Sequence, residues 1–265
     1  MSLKICPLFS GSSGNATYIA SKATSILVDA GLSGRRIQQA CCCIDVDIRS
    51  IDAILISHEH RDHIMGAGIL SRRYDIPIYA TALTWEAMVD ELGPVADKNI
   101  KIMDINTEFE IKDMVVKSYP TPHDAVQPVG FCFFAHGKKI SITTDLGHTN
   151  DEVIKTIEDS DLVMLEANHD VEMLKAGPYP WHLKRRILSE NGHLSNGDAG
   201  KTISKLMKGN LQRVILAHMS KENNFPELAY QTICNILAQH GIVPGKDIQI
   251  GLANRDRHSG IYEVV

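Results

Sequence analysis

The sequence predicts an α/β (α+β) protein, a four-layer αββα sandwich formed as one domain over residues 1–265. Two observations carry that expectation. Strand-like runs come in two groups, each followed by helix-like segments, so two sheets with helices on their outer faces is the natural layering. Several of the 12 histidines stand in short polar breaks directly after apolar runs, which puts them at strand ends, along one edge of such a sandwich. Periodicity alone leaves a generic α/β fold equally open.

The elements follow in order. Residues 3–9, 16–20 and 25–29 are short apolar runs separated by Gly/Ser turns, hence strands. Residues 34–43 have helical spacing. Residues 53–57 (AILIS) form a buried-strand run that ends at a histidine-rich loop. Helices are expected at 64–74 and 82–92, with a strand at 76–80 between them. The strand-rich stretch covers 101–104, 108–111, 114–119, 129–135 and 139–144. Helix and strand then alternate: helix 151–158, strand 162–166, helices 181–189 and 198–208, strand 213–217, helix 226–240, and strands 247–250 and 261–264.

Composition bounds the function. With 44% hydrophobic and 22% charged residues, the chain is an ordinary globular protein and not a disordered or fibrous one. A net charge of -5 argues against general nucleic-acid binding, but leaves a local basic patch possible. No apolar stretch is long enough to span a membrane, and the first ten residues do not read as a signal peptide. The 6 cysteines include the run Cys41-Cys42-Cys43 and no CxxC pair, so neither a disulfide framework nor a cysteine zinc site is expected. A cytoplasmic protein follows.

The densest chemical signal is Ser57-His58-Glu59-His60-Arg61-Asp62-His63. Imidazoles two apart in an extended turn can face one side. Asp62 and His63 begin the next helix and can face a second point, so one loop can supply half of two adjacent metal sites. Other candidates stand alone after strands: Asp29, His123, Asp145, His148, Glu166, His169 and His218. His193 lies in Gly192-His193-Leu194-Ser195-Asn196, where Gly192 permits an unusual backbone angle and Ser195 or Asn196 can cap the next helix. The Ser10-Gly11-Ser12-Ser13-Gly14-Asn15 turn could direct backbone N–H groups at a phosphate. Between Trp181 and Arg213 the chain carries a local charge of +5, with Lys184, Arg185 and Arg186 adjacent, which suits phosphate-backbone contact.

The H-x-H-x-D-H pattern after a strand resembles the signature of the metallo-β-lactamase superfamily. Asp29, His123, Asp145 and His218 match that family's further motifs in order, over nearly the whole chain. The resemblance decides for the αββα sandwich. It implies one metal on His58, His60 and His123, a second on Asp62, His63 and His218, and Asp145 between them. Two divalent transition-metal ions (Zn, Mn or Fe) are the implied cofactors. Glu166 with the Gly-His loop resembles the phosphodiesterase branch, including ribonuclease Z, where the histidine protonates the leaving oxygen and the acid orients it. The GSSGN turn with Asn15, Asp145-Leu146-Gly147-His148, Glu166-Ala167-Asn168-His169-Asp170 and the 183–187 segment together look like the YycJ (WalJ) group, associated with DNA exonuclease activity in bacteria.

The expected function is a dinuclear metal-dependent phosphodiesterase or exodeoxyribonuclease. Asp62, His193 and Glu166 are catalytic in this reading, and Asp29, Ser13, Asn15, His148 and His169 support the metal loops or touch substrate. The alternative is a small-molecule hydrolase on the same fold, acting on a cyclic phosphodiester, thioester or lactone. An inserted RNA-processing domain has no room, since only 72 residues separate Asp145 from His218.

Overall fold

The strands expected at 3–9, 16–20, 108–111, 129–135, 162–166 and 213–217 form over those same residues in a computed structural model that describes residues 2–265. In chain order the elements begin β1 (Leu3–Phe9), β2 (Ala16–Ala20), β3 (Ser25–Val28), α1 (Gly34–Cys42), β4 (Ala53–Leu55), α2 (Arg61–Ile64), α3 (Ala67–Tyr74), β5 (Ile78–Ala80) and α4 (Ala82–Leu92). They continue with β6 (Ile100–Ile102), β7 (Glu108–Ile111), β8 (Met114–Pro120), β9 (Val129–Ala135), β10 (Lys138–Thr143), α5 (Asp151–Ile157), β11 (Leu162–Glu166), α6 (Val171–Ala176) and α7 (Trp181–Ile187). The last are α8 (Asn196–Leu206), β12 (Arg213–Ala217), α9 (Pro226–Gln239), β13 (Gln249–Leu252) and β14 (Tyr262–Val264).

These elements group into two compact units. The first holds the chain up to Pro120, with Ala125–Lys138 and Asn254–Val265. Its sheet runs β14-β1-β2-β3-β4-β5-β6, antiparallel from β14 to β3 and parallel from β3 to β6. Pro7 interrupts the β1–β2 register, where the ladder shifts between Pro7 and Phe9, as a residue without an N–H requires. β7, β8 and β9 add an antiparallel meander. The apolar face of α1 covers this sheet through Ile37 and Cys41, both 0% exposed. Of the cysteine run, Cys41 is buried while Cys42 and Cys43 face solvent.

The second unit holds Thr121–Asp124 and Lys139–Ala253. Its strands β10, β11, β12 and β13 are parallel. β11 (LVMLE) is buried at every residue, which is why it reads as a continuous apolar run without alternation. α8 begins at the Ser195 cap, whose side chain accepts from the Asp198 backbone N–H, so Ser195 and not Asn196 is the cap. Asn150 caps α5, its side chain accepting from Val153 N–H.

One expected helix is broken in two, and one helix of the structure was not expected. The helix expected at 64–74 is α2 followed by α3, with the break at Gly66, where a Cβ would meet Leu32 O at 2.2 Å. α6 was absent from the expected elements, although Asp170 caps it by accepting from Glu172 and Met173 N–H.

Candidate functional site

In the first unit the chain places its candidate ligands at the ends of β3 and β4. Asp29 leaves β3 in the left-handed region, at φ 60°. That conformation is costly for a non-glycine residue and persists where contacts over-determine it. Asp29 Oδ1 accepts from Ser57 N at 2.8 Å, and Oδ2 accepts from His63 Nδ1 at 2.8 Å. Ser57 Oγ also reaches Asp29 and lies 3.0 Å from His58 Nδ1. Asp29 and Ser57 therefore set the ring orientation of two histidines at once. His58 Nε2 and His60 Nδ1 converge at 3.0 Å, and the His58 and His63 rings are 4.0 Å apart by centroid. Neutral imidazole is the metal-binding form. Asp62 Oδ2 stands 3.6 Å from His63 Nε2.

The glycine-rich turn braces this loop from behind. Asn15 N donates to Asp62 O at 2.8 Å, and the Asn15 amide lies 3.0 Å from His63 Nε2. Gly14 N donates to Gly11 O, and Gly11 N to the Asn15 side chain. Three of the N–H groups expected to face a phosphate, those of Gly11, Gly14 and Asn15, are thus spent on the turn itself and on Asp62. Ser13 is exposed at its tip. Gly31 is obligatory for close approach, since a Cβ there would lie 1.5 Å from Asp62 O.

In the second unit, Asp145 follows β10 and His218 follows β12, again in left-handed backbone, at φ 58° and 53°. Glu166 ends β11 and is 0% exposed. Its Oε1 accepts from His193 Nδ1 at 2.8 Å and from His218 Nδ1 at 2.9 Å. Its Oε2 accepts from Leu146 N and Leu194 N. Burial pushes this carboxyl up, but the charges and N–H groups of His193 and His218 outweigh it and hold it at about 2. A carboxylate is therefore present at neutral pH to fix both imidazoles with Nε2 outward. His123 Nδ1 donates to Gly192 O at 3.1 Å, which fixes a third ring the same way, and burial pushes its pKa down. Ligand atoms of Asp145, Glu166, His193 and His218 all lie within 4.8 Å of one another. With Glu166 saturated by N–H donors, Asp145 and His218 offer the mixed N/O donor set that suits a divalent transition metal, and His193 stands beside them.

Some expected residues are placed otherwise. Lys184 is corrected: it is 8% exposed, and its ammonium donates to Lys175 O and Gly177 O at 2.7 Å each, satisfying the end of α6. It has no reach left for a phosphate. Arg186 forms an ion pair with Asp124, while Arg185 is exposed. His148 is exposed and donates to Glu190 O at 2.9 Å, tying the Asp145 loop to the His193 loop. His169 is 1% exposed, and neither of its ring nitrogens has a hydrogen-bond partner among the described residues. Gly192 is corrected in its reason: a Cβ there would meet Ile187 O at 2.2 Å, so close packing and not an unusual φ requires glycine.

Three contributors were not foreseen. Ser57 precedes the histidine motif and could have been read as its hydrogen-bonding hinge. Asn168 Nδ2 donates to His218 O at 2.8 Å, and Asn224 Nδ2 holds Ala167 O and Asn168 O. Asn168 lies in the 166–170 motif with no role assigned and no local pattern marks Asn224, because the partners of both are distant in sequence.

Comparison with known proteins agrees with this geometry. Residues 24–219 match the model of the beta-lactamase superfamily domain. The chain is 39% identical to exodeoxyribonuclease WalJ of Streptococcus pneumoniae, covering 97% of this chain and 96% of the relative. It is 36% identical to exodeoxyribonuclease YycJ of Bacillus anthracis, over 94% and 95%. Among solved structures, the metallo-β-lactamase-fold protein YhfI of Bacillus subtilis superposes with a TM-score of 0.76 at 16% identity, over 100% of both chains. The chain thus has the metallo-β-lactamase fold, an α/β sandwich, and belongs to the β-lactamase superfamily, in the family of WalJ and YycJ.

Proposed function

We propose that the protein is a metal-dependent phosphodiesterase that degrades DNA from an end. The observation that carries the reading is the Glu166–His193 pair, joined at 2.8 Å within a cluster that also holds Asp145 and His218. The relatives named exodeoxyribonucleases support DNA as the substrate. His58, His60 and His123 would hold one divalent cation and Asp62, His63 and His218 another, with Asp145 shared. Zn²⁺ and Mn²⁺ both suit nitrogen and carboxylate donors. Such cations, when bound, activate water and neutralise charge on the phosphate.

The chain's own groups do the rest. Asp62 would accept a hydrogen bond from the attacking water. His193 would carry the proton to the departing oxygen. Its Nδ1–H is held by Glu166, so the protonated ring presents Nε2–H, and the buried carboxylate stabilises that imidazolium. Among the described residues no helix is long and apolar enough to cross a membrane.

The test is hydrolysis of 5′- and 3′-labelled single- and double-stranded DNA with Mn²⁺ or Zn²⁺. Stepwise release of mononucleotides is expected. Turnover of thioesters or lactones without cleavage of DNA would establish the small-molecule reading instead.

A further inference from the structure

α7 presents to solvent a face that the proposed chemistry leaves unused. Trp181 opens the helix and is 63% exposed. The other indole, Trp85, is 6% exposed and donates to Lys101 O, so open placement is particular to Trp181. Trp181 does not cap a core, because the buried residues of this helix are Lys184 and Ile187. Arg185 follows one turn later on the same exposed face. Among the described residues it makes no ion pair, so its guanidinium is available.

The helix is held stiffly and joined to the candidate proton donor. The two bonds of Lys184 fasten its middle to the end of α6, and Pro180 precedes its first turn. At its other end, His193 N donates to Ile187 O at 3.0 Å. From Trp181 to Ile187 the helix advances about 9 Å, at roughly 1.5 Å per residue. That is about three nucleotides at a stacked spacing of roughly 3.4 Å.

We infer that Trp181 is a stacking platform for an unpaired base of a single-stranded DNA substrate, with Arg185 on a neighbouring phosphate, placed so that the strand leads to His193. An exposed indole beside a basic side chain is the chemistry that holds single strands without reading their sequence. The inference rests on the phosphodiesterase reading for its substrate.

Intrinsic fluorescence tests it directly, because Trp85 is buried and Trp181 is the responsive indole. The metal-loaded protein is titrated with a nuclease-resistant phosphorothioate oligonucleotide, the same strand bearing abasic sites, and its duplex. The single strand should quench strongly, and the abasic strand and the duplex weakly. By anisotropy, Trp181→Ala should weaken single-strand binding by about 10- to 100-fold, while Trp181→Phe restores most of it. The abasic strand should bind the wild type and Trp181→Ala alike. Absence of quenching, or equal loss for the normal and abasic strands, would overturn the platform, since a merely structural role does not depend on the base. If DNA is cleaved in a His193-dependent manner without quenching, the platform fails and the phosphodiesterase reading stands. Quenching without cleavage of any DNA removes the phosphodiesterase reading and keeps the platform.

Discussion

Glu166 couples two tasks that the sequence separates by many residues. One oxygen receives the N–H of His193 and the N–H of His218, and the other receives two backbone N–H groups. Removing His193 leaves the Glu166–His218 contact in place. His193→Ala should therefore keep its metal content, yet lose about 10²–10⁴-fold in turnover of DNA, the usual weight of a general acid. The loss should shrink with a p-nitrophenyl ester, whose departing oxygen needs no proton. Glu166→Gln replaces an acceptor with a group that must point an N–H at a donor, so it should disturb both histidines. Metal content by elemental analysis should fall in Glu166→Gln and stay in His193→Ala. Equal metal content in both variants would show that Glu166 positions only His193. The sequence offered Glu166 as the partner of His193 but could not show the second bond, because His218 arrives from β12.

At the scale of elements, site residues stand where a strand ends and the backbone turns left-handed, at Asp29, Asp145 and His218. The strands themselves were legible, since parallel buried strands leave unbroken apolar runs between polar breaks. The motif loop was legible because its ligands are adjacent in sequence. What escaped were contacts made by chain segments far apart: the lysine spent on α6, the glycine turn used as a brace, and the break between α2 and α3. Gly31 shows how tightly the loops are layered, with Asp62 O where its Cβ would be. Gly31→Ala cannot be relieved by a rotamer change, because the obstacle is backbone. The Asp62–His63 loop must move, taking the Asn15 contact and the Ala30–His63 backbone bond with it. The expected result is a folded protein of lower melting temperature with reduced metal content, read by calorimetry and elemental analysis. Wild-type metal content in Gly31→Ala would mean that the loop does not depend on this approach.

For the whole molecule, acid sensitivity should depend strongly on a histidine outside the proposed ligand set. Burial pushes the His169 pKa down to about 4, with the negative charge of Glu166 only partly offsetting it. Its unfolded value is about 6.5. The folded state thus binds fewer protons than the unfolded chain, so stability is present above pH 6.5 and is lost as pH falls from there toward 4. Between pH 7 and pH 5 the loss is about 2 kcal/mol from this group. The ordinary carboxylates protonate mostly below that window, so they do not mask it. His169 also has no hydrogen bond to forfeit on its ring, and an apolar side chain can fill a buried site of that kind at little cost. His169→Leu should accordingly resemble the wild type at pH 7 and be more stable than it at pH 5. Urea denaturation at the two pH values measures the difference. An equal drop in wild type and His169→Leu would show that the proton is taken up elsewhere in the fold.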